Sequence, residues 1–427
     1  MNKLLLYAAI LCCCTACLPT NVLIYENQGE GTGPCEPSIF INPANPKNIV
    51  AGSVLDFYHV STDGGQSWTT QQLRSEAHGV YGDPVVAADA NGNFYFLHLA
   101  DPDHRGWSSP RLLESIVIQR SEDGGQSWNE GAAIGTNPPK DQDKEWVAIH
   151  PKTQELYVTW TEFDRYRGNT PDCHSRILFS KSSDKGDNWT QPLTLSQLEG
   201  NCLDDNFTTE GAVPVVSSNG DLFVAWAFDE KIFFDKSTDG GKSWMEQDQV
   251  IAQQTGGWNI DIPGLGRSNG MPVTGIDNSN SPYKGNLYVC WSDTRNGKDD
   301  PDIFLIHSSD KGQTWSTPLR VNQDKTKTYQ FFPWMSIDPV TGFVYIVFYD
   351  RSRHKDNQTD VVVAVSKNGG KSFKQKRISK EAFTPPGPAV FFGDYNNISA
   401  FNGRVRPIWT SYRNGKLSVW TALLGKK

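Results

Sequence analysis

The chain has 427 residues and a formal net charge of −8, and 37% of its residues are hydrophobic. That hydrophobic fraction is enough for a packed core, so the composition excludes wholesale disorder. The acidic balance of 48 acidic against 40 basic residues argues against nucleic acid as a partner, because duplex binding needs a concentrated basic surface. With 38 glycines, 25 prolines and only four methionines, the composition favours strands and turns over helix bundles.

The first 17 residues have the pattern of an export signal. A lysine precedes an apolar run from Leu4 to Cys14, which is too short for a permanent membrane helix but typical of a secretory signal. The run ends in Thr15-Ala16-Cys17, which resembles the lipobox of bacterial lipoproteins, whose cysteine is lipidated and begins the mature chain. We therefore expect a lipoprotein of the cell envelope, at the outer membrane or facing the periplasm, that contacts membrane only through its lipid. An ordinary cleaved signal and a secreted protein are the alternative.

Export would place the remaining cysteines in an oxidising compartment. Cys173 and Cys202 lie in polar, loop-like segments, TPDCHSR and EGNCLDDN, so we predict a disulfide between them. Cys290 lies in LYVCWSD, a strand pattern, and is expected to be a small buried hydrophobic residue. No CxxC or Cys/His spacing in the sequence indicates zinc.

An octet of the form S-x-D-x-G-x-S/T-W recurs along the chain. Its copies are Ser61–Trp68, Ser121–Trp128, Ser182–Trp189, Ser237–Trp244, Ser308–Trp315 and the weaker Ser366–Phe373. Their final aromatic residues lie 60, 61, 55, 71 and 58 positions apart. In such an octet the aspartate can cap backbone N–H groups of a hairpin turn, the glycine can take a positive φ, and the tryptophan can pack beneath the turn.

These octets are Asp boxes, or BNR repeats, and the chain resembles the sialidase-like β-propeller superfamily from about residue 35 to its end. Asp boxes also occur in propellers that are not sialidases, so the resemblance implies the fold more strongly than the chemistry. We divide the chain into a signal segment (1–17), a linker with one strand (18–34) and the propeller (35–427).

The sequence between successive octets predicts the same succession of strands each time. Seven inner strands are predicted: Glu36–Asn42, Asp83–Asp89, Glu145–Pro151, Gly211–Ser217, Gly270–Ile276, Phe332–Asp338 and Asp394–Ala400. The last unit ends at its third strand, Leu417–Leu423, without an octet, and Asn21–Asn27 is a spare strand that could supply the missing outer one. The prediction is an all-β propeller of seven four-stranded blades, closed by the N-terminal strand. A six-bladed ring, usual for sialidases, with an extra sheet at its rim is the alternative.

Blade topology predicts which residues share a face. The octets join third and fourth strands on one face and are interpreted as structural, whereas ligand sites of such rings usually lie around the axis on the other face. Candidate catalytic carboxylates at the starts of inner strands are Glu36, Asp83, Glu145, Glu210 and Asp394. Candidate substrate-binding arginines, each following a second strand and expected to point toward a common opening, are Arg165, Arg295, Arg351 and Arg413.

These residue types suit glycan chemistry. Paired carboxylates serve glycosidic acid/base catalysis, and guanidinium groups bind carboxylates in a bidentate manner. The alternative is that the two sets pair with each other and join neighbouring blades. The resemblance implies three arginines, a tyrosine nucleophile with a glutamate partner, and an aspartate acid/base. The family's first arginine stands in an R-I-P context, where this chain has GPCEPSIFINP with Glu36, and no motif marks Tyr349, Tyr395 or Tyr412 as the nucleophile.

The leading functional hypothesis is an exo-acting glycoside hydrolase, with an acidic sugar such as sialic acid as a candidate substrate. A non-catalytic propeller that binds glycan or protein is the alternative. We expect a monomer that requires no cofactor. The oxygen-rich loops Asp293–Asp302 and Leu203–Asn206 suggest calcium as a second interpretation, although acidic loops are usually solvated.

Replacing Cys17 tests the anchor. Cys17→Ser should leave the protein uncleaved or soluble, because the serine cannot accept the lipid. Partition of the wild type and the variant between detergent and aqueous phases measures this. Equal partition of both proteins into detergent would contradict the lipoprotein hypothesis.

Overall fold

Alternating apolar strands and glycine-rich turns form seven antiparallel sheets of four strands each. The computed structural model describes residues 18–29 and 32–426, so the signal segment 1–17, with Cys17, lies outside the described residues. In chain order the strands are β1 (Thr20–Glu26), β2 (Ser38–Ile41), β3 (Ile49–Ser53), β4 (Phe57–Ser61), β5 (Thr69–Gln72), β6 (Val85–Ala88), β7 (Phe94–Leu99), β8 (Ile116–Ser121), β9 (Ala132–Ile134), β10 (Asp141–Ile149), β11 (Leu156–Phe163), β12 (Ser175–Ser182), β13 (Leu193–Thr194), β14 (Glu210–Val216), β15 (Leu222–Phe228), β16 (Lys231–Ser237), β17 (Gln249–Gln253), β18 (Val273–Ile276), β19 (Leu287–Asp293), β20 (Asp302–Ser308), β21 (Leu319–Arg320), β22 (Gln330–Ile337), β23 (Val344–Asp350), β24 (Asp360–Ser366), β25 (Lys374–Arg377), β26 (Asn397–Phe401), β27 (Arg404–Arg413) and β28 (Lys416–Gly425).

The sheets are consecutive in the chain. Strands β2–β5 form blade 1, β6–β9 blade 2, β10–β13 blade 3, β14–β17 blade 4, β18–β21 blade 5 and β22–β25 blade 6. Blade 7 has the order β1-β28-β27-β26, so the N-terminal strand is its outer strand. The predicted seven-bladed propeller is confirmed, and the six-bladed alternative is wrong.

Strand β1 closes the ring. It pairs with β28 in antiparallel register from Thr20↔Leu423 to Glu26↔Ser418. The Asn21 side chain also donates to the carbonyl of Ile378 at 2.8 Å and accepts from the N–H of Lys380 at 2.7 Å, both just after the last strand of blade 6. Because β1 joins the last blade to the one before it and covers a free sheet edge, it stabilises the ring at the seam.

The octets form the turns between third and fourth strands and join neighbouring blades. In the fourth octet, Ser237 Oγ and Ser243 Oγ donate to the two carboxylate oxygens of Asp239, and the Gly241 N–H donates to Ser237 Oγ at 2.9 Å. Hydrogen bonds from Ser243 and Ser237 hold the pKa of Asp239 below its usual range. Gly241 has φ +82°, and a Cβ there would lie 2.5 Å from the Phe179 ring of blade 3, so the turn requires glycine.

Five of the inner strands have a local irregularity at or near their start. Left-handed backbone occurs at Glu36, Asp83, Lys144, Gly211 and Phe332, with φ between 45° and 76°. In β10, β14 and β22 this position coincides with a shift of strand register. Bulges of this kind redirect side chains. In these three strands the shift lies at the end opposite the octet face.

An aromatic cluster blocks the ring axis. Trp146 packs against Trp334 with ring centroids 4.2 Å apart and against Tyr395 at 5.2 Å. The inner strands line a cavity of about 310 Å³ that these tryptophans also border. In the part of the chain that the structure describes, the one helical element is a 3₁₀ turn at Gly106–Ser108, and no helix is long and apolar enough to cross a membrane.

Cys173 and Cys202 form a disulfide with Cα atoms 5.7 Å apart. It joins the β11–β12 loop to the connection between blades 3 and 4. Cys290 is fully buried in β19, as its strand pattern predicts.

Removing β1 tests the closure of the ring. Deletion of Thr20–Glu26 should lower the melting temperature and promote aggregation, because the edge of β28 becomes free. Asn21→Ala removes only the two hydrogen bonds to blade 6 and should cost about 1–2 kcal/mol of unfolding free energy. Thermal melts with light scattering measure both effects, and an unchanged melt of the deletion variant would show that β1 is not needed for closure.

Candidate functional site

Loops on the face opposite the octets enclose a cavity of about 260 Å³. Its lining comes from blades 1, 2, 3 and 7 and from the segment that enters blade 5. The polar residues of its floor are Glu36, Asp83, Asp143, Lys144, Arg267 and Asp394. Its aromatic residues are Tyr81, Trp107, Tyr166 and Phe391. The cavity thus combines ionisable groups at its base with rings at its walls.

Lys144 connects three blades at the floor. Its Nζ lies 3.2 Å from Asp83 Oδ2 of blade 2 and 2.9 Å from Asp394 Oδ2 of blade 7. The Lys144 side chain is 6% exposed, so its ammonium group depends on these carboxylates for stabilisation. Lys144 has left-handed backbone and lies within the register shift of β10, and bulges of this kind redirect side chains.

Arg267 holds the opposite side of the floor. Its Nε donates to Asp394 Oδ1 at 2.8 Å, Nη2 also bonds Asp394, and Nη1 lies 2.9 Å from Asp204 Oδ2. Burial alone would raise the pKa of Asp394, but the charges of Arg267 and Lys144 outweigh it and lower that pKa to about 2. Asp394 is therefore ionised throughout the neutral range.

Asp143 lines the same cavity, but no cation among the described residues holds its carboxyl group in the way that Arg267 and Lys144 hold Asp394. Among residues 18–29 and 32–426, its carboxyl group has no hydrogen-bond or ion-pair partner, and the residue is 5% exposed. Burial raises its pKa to about 8, and the charge of nearby Lys144 only partly offsets that effect. Asp143 is therefore mostly protonated at neutral pH and can donate a proton into the cavity.

Further buried carboxyl groups lie around this floor. Both side-chain oxygens of Glu145 and of Glu210 lack a hydrogen-bond partner within the described chain, and burial raises the pKa of each. Glu36 accepts a hydrogen bond from the Asp394 N–H at 3.0 Å, and its pKa is also raised by burial. The floor therefore holds more acid groups than cations.

Aromatic rings form the walls. Trp107, from the β7–β8 loop, stacks on Tyr166 of blade 3 with centroids 6.1 Å apart and planes 22° apart, and it meets Tyr81 edge-on. Trp107 is nevertheless 67% exposed, which is unusual for so large an apolar ring. The Tyr166 hydroxyl donates to Asp204 Oδ2 at 2.9 Å and accepts from Arg267 Nη1, which fixes the wall to the ion-pair network.

A second cavity of about 460 Å³ adjoins the first. The two share Arg167 and Arg267, and the second is also lined by Asn259 and Asp261. The Arg167 guanidinium lies 5.3 Å from the Tyr166 ring centroid and makes no ion pair with any described residue. The site therefore extends past its mouth into a second, polar compartment.

The predicted carboxylates are only partly brought together. Glu36, Asp83 and Asp394 line the cavity, whereas Glu145 and Glu210 do not. Asp143 and Lys144 were missed because the prediction began the inner strand of blade 3 at Glu145, whereas β10 begins at Asp141. The charged run DQDKEW could have drawn attention to them. Arg267 and Trp107 lie in irregular segments that carry no repeat.

The structure does not bring the four predicted arginines to a common opening, and none of them lines either cavity. Arg165 and Arg351 are held by their own blades, Arg413 by the segment that precedes blade 7, and Arg295 by its own blade and by β17 of blade 4. The local partners are Asp141 for Arg165, Asp293 and the Gln253 carbonyl for Arg295, Thr359 for Arg351, and Glu381 for Arg413. Each guanidinium group is therefore bound by nearby protein groups, although Nη2 of Arg351 has no hydrogen-bond partner among the described residues.

The loops considered for calcium use their carboxylates for cations of the protein itself. Asp204 pairs with Arg267, Asp293 with Arg295, and Asp302 with Arg320. Within residues 18–29 and 32–426, no group of three or more Asp, Glu, His or Cys side chains is arranged to hold a metal ion.

The solved structures with a similar fold include sialidases. No protein-family model matches the chain. The K499G mutant of NanB sialidase from Streptococcus pneumoniae gives a TM-score of 0.51 at 10% identity, over 82% of this chain and 68% of that one. The intramolecular trans-sialidase from Ruminococcus gnavus gives 0.50 at 11% identity, over 82% and 95%. For Trypanosoma rangeli sialidase the TM-score is 0.47 at 14% identity, and the match covers 83% of this chain and 56% of that one, about half its length. At these identities the likeness to the first two structures shows the β-propeller fold alone.

The pH dependence of stability tests the environment of Asp143. Its pKa rises from the ordinary value of 3.8 to about 8 on folding, so the folded protein keeps a proton that the unfolded chain releases. The stability from this proton is complete below about pH 4 and declines as the pH rises through about 8. Asp143→Asn cannot ionise, so its melting temperature should fall less than that of the wild type between about pH 5 and pH 9.

Glu246→Gln is the matched control, because Glu246 is exposed and makes no hydrogen bond or ion pair with a described residue. Its melting curve should follow the wild type at every pH. A parallel decline in Asp143→Asn and the wild type would contradict the assignment.

Proposed function

We propose that the protein acts on glycans at this cavity as an exo-acting glycoside hydrolase. The observation that carries the proposal is the contrast between two carboxyl groups at one floor. Asp143 is unpartnered, with a pKa raised to about 8 by burial, while Asp83 is bound to a lysine ammonium in an ion pair. Glycoside hydrolases use pairs of carboxyl groups in such different environments as acid and base.

In this proposal Asp143 protonates the glycosidic oxygen as the bond to the anomeric carbon breaks. Asp83 stabilises the positive charge that develops on that carbon and accepts the proton of the attacking water. The Asp83 side chain is 11% exposed and that of Asp394 only 1%, so Asp83 is the better placed of the two to reach a substrate. Lys144 and Arg267 act as positioning residues, since both hold Asp394.

The walls fit a sugar ring. Trp107, Tyr81 and Tyr166 present apolar ring surface beside polar groups, and sugars combine an apolar face with a rim of hydroxyl groups. The cavity is closed below by the acid floor, which suits the end of a glycan chain and supports an exo mode of action. The second cavity lies where the next sugar would follow.

A non-catalytic binding propeller is the second candidate function. One observation favours it: Asp83, Asp204 and Asp394 are all bound to cations of the protein. Export to the cell envelope with a lipid on Cys17 is part of the proposal and rests on the sequence of residues 1–17 alone.

Sugar release tests the proposed activity. Purified protein is incubated with mixed glycans, and the released sugars are separated and quantified. Asp143→Asn and Asp83→Asn should each lower the rate about 100-fold or more, because each removes one proton-transfer group. Asp63→Ala, in an octet turn on the other face, should lose about 1 kcal/mol of stability from a missing cap and keep the activity of the folded protein.

Thermal melts of all variants separate loss of activity from loss of fold. Glycan binding without any release of sugar by the wild type would favour the binding propeller. Full activity in both Asp143→Asn and Asp83→Asn would contradict the assigned roles.

A further inference from the structure

Arg167 is a cation of the site whose charge the protein does not pair. The residue lines both cavities and is exposed. Its guanidinium group makes no ion pair and no hydrogen bond within the described part of the chain. Lys144 and Arg267, the other cations that line the first cavity, are both bound to carboxylates of the protein. Arg167 is therefore able to bind an anion that comes from outside the chain.

The contact of Arg167 with Tyr166 leaves its hydrogen-bond donors free. The Arg167 Cζ atom lies 5.3 Å from the Tyr166 ring centroid, and a guanidinium group is attracted to the face of a ring through its charge. None of its five N–H donors is used by this contact. They can therefore hold a carboxylate or a sulfate ester through two parallel hydrogen bonds.

The turn that carries Arg167 is held in place by the disulfide. The Gly168 N–H donates to the Arg165 carbonyl at 2.9 Å, and a Cβ at Gly168 would lie 2.5 Å from the Sγ atom of Cys173. Arg167 itself has left-handed backbone, with φ 59°. Such backbone costs free energy in a residue other than glycine and is frequent at ligand sites. Because the backbone of the turn is fixed, less conformational freedom is lost when Arg167 binds a ligand.

The position of Arg167 indicates which sugar it meets. The side chains of Lys144 and Asp394 at the floor are 6% and 1% exposed, whereas Arg167 is exposed and lies where the two cavities join. In the proposed function, the terminal sugar reaches the floor and the next sugar follows in the second cavity. Arg167 therefore lies beside that second sugar.

Asp261 is the other charged residue of the second cavity that has no ion pair with a described residue. It is exposed, and it does not pair with Arg167. Burial and the charge of Asp299 raise the pKa of Tyr329, next to β22 of blade 6, and Asp261 adds to this effect. Asp261 therefore lies toward blade 6, whereas Arg167 follows β11 of blade 3, and Asp261 leaves the charge of Arg167 available.

We propose that Arg167 binds an anionic group, a carboxylate or a sulfate ester, carried by the sugar that follows the one at the floor. The inference rests on the proposed function and adds a specificity determinant to it. Glycans with such a group next to their terminal sugar are the preferred ligands. Because Arg167 contacts the glycan away from the bond that is cleaved, its contribution is to binding.

Equilibrium binding of matched disaccharides to the purified protein tests this without requiring turnover. Lactose with lactobionate and cellobiose with cellobionate differ by a carboxylate on the second unit, and N-acetyllactosamine is compared with its derivative sulfated on the N-acetylglucosamine. By calorimetry at low ionic strength, we expect the charged member of a pair to bind about tenfold more tightly, equivalent to about 1.4 kcal/mol. The difference should shrink as salt is added. The pair that shows it identifies the anionic group.

Variants of one turn separate a direct contact from the general field of the protein. Arg167→Gln should abolish the difference between charged and neutral sugars, and Arg167→Lys should keep part of it, because lysine retains the charge without the paired donors. Arg165→Gln is the matched control, since it removes the same charge from the same turn but lies outside both cavities. It should keep the full difference. Thermal melts check that each variant is folded, and an equal loss in folded Arg165→Gln and Arg167→Gln overturns the inference.

The remaining outcomes separate this inference from the proposed function. Equal binding of charged and neutral sugars by the wild type overturns the inference and leaves the proposed function standing. Sialyllactose carries its charge on the terminal sugar, so a loss in Arg167→Gln confined to sialyllactose also overturns it. Absence of binding by every sugar overturns both proposals. Tighter binding of the charged disaccharides without hydrolysis supports the inference and removes only the catalytic proposal.

Discussion

The contact of Lys144 with Asp83 and Asp394 is the interaction on which the candidate site depends. A buried ammonium group is costly unless carboxylates surround it, and here they come from blades 2 and 7, on either side of blade 1. The backbone of the lysine is left-handed, a conformation that costs free energy in a residue other than glycine. Backbone strain near the start of β10 therefore accompanies ion pairs between distant parts of the sequence.

The rest of the ring supports this contact. The octet turns fasten blades to their neighbours at the opposite face, and β1 fastens blade 7 at the seam. Both of these contacts lie away from the cavity. The loops around the floor are therefore not needed to hold the blades together and can carry the side chains of the site. One face holds the blades together and the other carries the cavity. This is why the regular part of the sequence is structural and the irregular part lines the site.

Much of the fold could be predicted from the sequence because its determinants are local. The octet is a complete turn motif, so its spacing gave the blades and their order, and the missing octet in the last unit indicated that β1 completes blade 7. The floor was harder to predict because a bulge decides which of three successive residues faces the axis. The side chains of Asp143, Lys144 and Glu145 are consecutive, yet only the first two line the cavity.

The arginines also show where prediction from the sequence ends. Arg165, Arg295 and Arg351 lie just after second strands and Arg413 is the last residue of one, but position along a strand does not fix where a long side chain points. Arg351 turns inward over Phe331, donates to Thr359 and is 1% exposed, and burial lowers its pKa to about 10. Arg267, which does reach the floor, comes from a segment between β17 and β18 with no periodic pattern to reveal it.

The disulfide has a consequence for how the protein should be produced. Cys173 and Cys202 pack with Phe163, and Phe163 in turn contacts Tyr166 edge-on with centroids 5.3 Å apart. The bond therefore ties the loop that carries the wall tyrosine to the loop that carries Asp204, while none of the seven sheets relies on it for strand pairing. Material made in a reducing cytoplasm is therefore expected to keep the strand pairing of the ring, to lose this tie between the two loops of the site and to melt at a lower temperature.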